Sequence, residues 1–145
     1  MKIRFSLLAL LSALLVLPDV RSADKEPETE LGKHMENMSG PFRRLRRQIS
    51  SPDKNADSLA ALAVIRENAE AGLKLEPVMK SEIPAEKQAQ FVADYREKLK
   101  ALIDLTNKVE AALKAGNNAE AEKLVGAMAD AQKQGHKDFK KKDKK

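Results

Sequence analysis

Two histidines, five methionines and no cysteine bound the chemistry open to this chain. His34 and His136 stand too far apart in sequence to form a local metal box, and the lack of cysteine removes thiolate nucleophiles and thiolate metal sites. What remains is one imidazole near the C-terminal end and a group of possible ligands near the other: His34, Met35 and Met38. Imidazole and thioether together make an axial pair for haem iron, with the thioether raising the iron's potential. The same residues also fit plainer roles. A methionine on an apolar face is usually core filling, and a histidine just before a lysine run can simply end a helix.

Bringing His136 opposite Met35 or Met38 requires helices, and the chain is patterned for four of them. Leu31, Met35, Met38, Phe42, Leu45 and Ile49 recur at helical spacing and predict a first helix over about 31–49. Gly40-Pro41 interrupts it, so a kink, or a helix that starts properly at Pro41, is expected. Asn55 to Leu73 carries a second stripe, with Leu59, Leu62, Ile65 or Arg66, and Ala69. Pro77 and Pro84 bound the longest connection, where Val78, Met79 and Ile83 are expected to lie on the bundle end. A third helix follows from Pro84 to about Ala115, marked by Phe91, Tyr95, Leu102, Val109 and Leu113, and Gly116-Asn117-Asn118 stops it. The fourth, about 119–140, has Ala121, Val125, Met128, Gln132, His136 and Phe139 on one stripe, which sets His136 on its inward edge. No segment alternates at period two. The expected fold is all-α, an antiparallel up-down-up-down four-helix bundle over 31–140. That topology brings the start of the first helix and the end of the fourth to one side.

The flanks read differently. Residues 1–22 show a positive start (Lys2, Arg4), an apolar run from Phe5 to Leu17, Pro18 and small residues before Ala23: the pattern of a cleavable signal peptide. The run is shorter than a spanning helix needs, so periplasmic export without stable membrane insertion is expected. Residues 23–30 read as a flexible lead-in and 141–145 as a basic tail. The full chain carries +5; losing residues 1–22 removes three cations and one anion, leaving +3. That excess is too mild and too mixed for nucleic acid. There is no phosphate loop, nucleophile elbow or zinc pattern, and no paired Glu-x-x-His of di-iron bundles, so no enzyme is expected. Two other readings stand beside haem: a haem-free helical chaperone or stress-response binding protein, and a copper protein using His34, Met35 and Met38 as a surface cluster.

Taken together, these residues resemble the soluble cytochrome b562 family. The likeness rests on Met35-Glu36-Asn37-Met38 with Phe42 and Leu45, on Asp94-Tyr95-Arg96, on the run from Ala111 to Asn117 with Ala119-Glu120-Ala121, and on Gly135-His136-Lys137-Asp138-Phe139-Lys140. The resemblance implies a noncovalent haem b with Met35 and His136 as axial ligands, Lys140 as a cofactor-binding cation, and single-electron transfer to a redox partner protein by a monomer or weak dimer. The chain departs from the related cytochromes c′ in lacking Cys-x-x-Cys-His, which rules out a thioether-linked haem. It departs from the family at Gln132, where a basic residue is usual, which weakens the case for a propionate partner there, while Lys140 keeps the charge one turn after His136. Gly40-Pro41, just after the ligand segment, leaves Met38 or His34 as the alternative to Met35.

Overall fold

The structure, a computed structural model, describes residues 29–140. The signal-peptide reading of 1–22, most of the lead-in and the basic tail 141–145 lie outside the described residues. Four helices follow in order: α1 (Glu30–Gln48), α2 (Asn55–Gly72), α3 (Ala85–Lys114) and α4 (Asn118–Phe139), with short 3-10 turns at Pro52–Lys54 and Val78–Glu82. Among the described residues there is no strand, and no helix is long and apolar enough to cross a membrane.

The helix ends have local causes. The lead-in stops earlier than the sequence suggests. The Thr29 side-chain oxygen accepts the Gly32 N–H at 3.0 Å, capping α1 so that Glu30 is already helical. α1 then runs as one helix through Pro41. It does not restart there, because Met38 before the proline and Phe42, Leu45 and Ile49 after it are buried in one core. Gly116, at φ +70°, ends α3: its N–H donates to the Leu113 carbonyl and that of Asn117 to the Ala112 carbonyl. Asn117 then caps α4 by accepting the Glu120 N–H at 3.1 Å.

The middle of the bundle is closed by Leu45, Leu62, Ile65, Val109 and Met128, all essentially inaccessible. The choice between Ile65 and Arg66 falls to Ile65. Arg66 is half-buried and pairs with Glu110 of α3. Ser58 and Thr106 are also fully buried, although neither belongs to an apolar stripe. Each is satisfied: Ser58 accepts from the Gln48 amide at 3.1 Å, and Thr106 donates back to the Ile103 carbonyl at 2.6 Å. One expectation for the 76–84 connection fails. Val78 is 42 % exposed, and Pro77 is the buried residue instead, with Met79 and Ile83 half-buried.

The two ends of the bundle differ. At one end the Asn118 amide donates to the Ile49 carbonyl and to the Asn55 side-chain oxygen, both at 2.7 Å. A single side chain thus joins the end of α1 with the starts of α2 and α4. Neighbouring helices α1/α2, α2/α3 and α3/α4 pack along their lengths, whereas α1 and α4 approach each other only sparsely. The sequence supplies the reason. Ala121, Val125 and Met128 are buried on α4, but the next positions of that stripe are Gln132 and His136, polar residues that cannot seal a seam.

Candidate functional site

Along that seam lies an open groove of about 410 Å³, lined by Glu36, Ser39, Phe42, Arg43 and Arg46 of α1 and by Gln132 of α4. Met35 immediately precedes Glu36, and His136 lies one turn beyond Gln132. The antiparallel arrangement therefore carries Met35 and His136 to the same end of the groove.

Met35 is half-buried. Its methyl group lies against Gly72 at the end of α2: a Cβ added there would stand 3.4 Å from Met35 Cε, 3.3 Å from the Tyr95 hydroxyl and 3.2 Å from Leu99 Cδ1. Glycine is what lets these three side chains close on the helix end. The Tyr95 hydroxyl donates to the Gly72 carbonyl at 3.0 Å, and its burial pushes the phenol's pKa up strongly, with the Arg96 charge opposing weakly. Phe139 packs on Tyr95 and on Phe91, with ring centroids 5.6 and 5.2 Å apart. Tyr95 thus ties the Met35 side to the last turn of α4.

His136 corrects the sequence reading. It shares the stripe of Met128 and Gln132 but is exposed rather than turned inward, because the seam is open at this height. Even so, the surrounding chain removes enough water from the ring to push its pKa below the ordinary histidine value, and the Lys140 charge acts in the same direction. The imidazole is thereby biased toward its neutral, metal-ligating form. Lys140 is exposed at the α4 terminus, where its N–H donates to the His136 carbonyl at 3.1 Å.

The alternatives to Met35 have other occupations. Met38 is buried in the core with only 8 % exposure. His34 turns to α2, where Nδ1 donates to the Asn68 side-chain oxygen at 2.9 Å, a bond that Asn37 reinforces at 3.4 Å. These two and Met35 do not form the surface cluster that a copper site would need.

The residues present fit a haem. The thioether of Met35 and the imidazole of His136 are donor types suited to low-spin iron. Neither lines the groove itself: Met35 lies against Gly72, and His136 stands one turn beyond Gln132, both toward the Glu36 end of the seam. The family model of cytochrome b562 matches residues 30–140. The chain belongs to the cytochrome b562 family. Members of the family bind a noncovalent haem b and carry electrons rather than acting as enzymes. No curated protein and no solved structure matches the chain.

The sequence reading missed two features. Gly72 with Tyr95 was invisible because the contact joins residues far apart in the chain. Arg43 and Arg46 lie off the apolar stripe that defines α1, so that stripe gives them no role. The signal was present in Glu36, Ser39, Arg43 and Arg46, which repeat at helical spacing beside the apolar stripe and so form a second, polar face.

Proposed function

We propose that this protein is an exported single-electron carrier in which Met35 and His136 hold haem b between α1 and α4, with Lys140 at its rim. The observation that carries the reading is that the antiparallel α1 and α4 bring a half-buried thioether and an imidazole to the same end of the open seam. Bound haem supplies an iron that gains and loses one electron. The chain's task is to bury the macrocycle, fix its orientation and set its potential, which a thioether ligand raises. Met35 has three rotatable bonds and a polarizable sulfur, so it can turn from Gly72 toward the groove at little cost. The signal-like pattern of residues 1–22 supports export to the periplasm. The mixed surface charge supports a protein redox partner rather than nucleic acid, and the bundle acts as a monomer or weak dimer without stable membrane insertion.

Titration of the purified apoprotein with haem tests the reading by visible absorption. Sharp reduced α and β bands of low-spin iron are expected. A broad spectrum identical to that of haem in buffer would refute it. Because the unfolded chain lacks the site, haem at a hundredfold excess over its dissociation constant should stabilise the fold by about 2.7 kcal/mol. Export is tested by the N-terminal sequence of the periplasmic protein, which should begin near Ala23.

A further inference from the structure

The groove between α1 and α4 is polar in a directional way. Glu36 stands at the Met35 end, Ser39 follows, and Arg43 and Arg46 occupy the stretch toward the bundle middle. Its α4 wall contributes Gln132, which is neutral. Among the described residues, neither Arg43 nor Arg46 forms an ion pair, whereas their neighbour Arg44 is engaged with Asp57 at 3.3 Å. Two guanidinium groups without carboxylate partners therefore face a groove that is otherwise apolar or uncharged beyond Glu36.

Resting on the haem reading above, we propose that Arg43 and Arg46 of α1 receive the two haem propionates, so that the cofactor's carboxylates are held from α1 and not from α4. Haem carries two carboxylates at one edge of a flat apolar ring, and a site that orients it must present cations on one side only. At 1.5 Å rise per residue, Arg43 and Arg46 lie about 12 and 16 Å along the axis from Met35. Helical side chains lean toward the N-terminus of their helix, which carries both guanidinium groups back toward the Met35 level. That brings them within reach of propionate arms extending from an iron held at Met35 and His136. The planar guanidinium fork pairs with a carboxylate through two parallel hydrogen bonds, which a lysine cannot do. Glu36 opposes carboxylates at the other end, so the groove selects one of the two edge-on orientations of the ring.

The test compares wild type, Arg43→Gln/Arg46→Gln and Arg44→Gln/Arg47→Gln. Each is titrated with native haem and with haem dimethyl ester, in which both carboxylates are blocked. Far-ultraviolet circular dichroism of the apoproteins checks that all three remain helical. The Arg43/Arg46 variant should bind native haem about tenfold more weakly than wild type, yet bind the dimethyl ester equally well. The Arg44/Arg47 variant should match wild type with both ligands. Unchanged native-haem affinity in the Arg43/Arg46 variant overturns the proposal. So does an equal loss for both ligands, which would mark a packing role. If wild type itself binds no haem, the haem reading fails and the proposal falls with it, an outcome that the wild-type arm alone identifies.

Discussion

The ring of Phe139, in the last turn of α4, meets the ring of Tyr95 of α3 edge-on with centroids 5.6 Å apart. Tyr95 also donates its hydroxyl to Gly72 of α2, the glycine on which Met35 of α1 rests. All four helices therefore meet at one tyrosine, and the two proposed ligand-bearing segments are positioned through it.

Replacing Tyr95 by phenylalanine keeps the ring contact and removes only the hydroxyl. The Gly72 carbonyl retains a second donor, the Leu75 N–H at 3.1 Å, so it is not orphaned. The expected loss is about 1 kcal/mol, the net worth of one buried hydrogen bond. Urea unfolding should show a lower midpoint with an unchanged slope.

Phe139→Ala removes two ring contacts and a half-buried aromatic surface. A loss of about 2 kcal/mol is expected. The effect should be local as well as global. Amide exchange in the turn from His136 to Lys140 should accelerate more than exchange in the Leu45 and Val109 region, and haem affinity should fall although no ligand has changed.

Met35 and Met38 separate by substitution. Met38→Ala opens a cavity in the core and should cost about 3 kcal/mol while leaving the low-spin haem spectrum in place. Met35→Ala should cost little in the apoprotein but convert bound haem to high spin, and His136→Ala should abolish the low-spin bands. Low-spin bands that survive Met35→Ala and vanish with Met38→Ala would reverse the assignment.

The pH dependence has a definite sign. His136 titrates below its ordinary value of about 6.5 in the folded chain. Between the two values the unfolded chain binds more protons, so apoprotein stability is fully present above about 6.5 and falls as pH drops through the folded value. The ring is exposed, so the slope is shallow. It should flatten in His136→Gln, measured by thermal unfolding of the apoprotein at a series of pH values.

Most of the architecture was legible because it is written in local periodicity. The stripes through Phe42 and Leu45, Leu62 and Ile65, Val109 and Leu113, and Val125 and Met128 identify both the helices and the core. What periodicity cannot reveal is how far each stripe is covered. His136 continues the α4 stripe and yet is exposed, because coverage depends on how closely α1 approaches at that height. Ser58 and Thr106 show the converse: polar residues buried because a specific partner lies within reach. Val78 is exposed in a connection whose apolar residues were expected to cover the bundle end. Pro41 shows that a helix breaker is overridden when apolar residues on both sides of it share one core. The family resemblance pointed to the proposed ligands, but the groove and its two arginines, which form no ion pair among the described residues, emerge only when α1 and α4 are set side by side.

The Asn118 bridge gives the bundle a clasp at one end and a mouth at the other. Separating α4 from α1 and α2 at the clasp breaks two short hydrogen bonds and uncovers the start of the core. At the mouth the last turn of α4 is held by the two ring contacts of Phe139 with α3. Amide exchange is therefore expected to be faster in the last turn of α4, which α1 approaches only sparsely, than at the Asn118 end. Asn118→Ala should remove this asymmetry, seen as amide exchange that rises at the Ile49 end of the bundle to approach the rate at the Phe139 end.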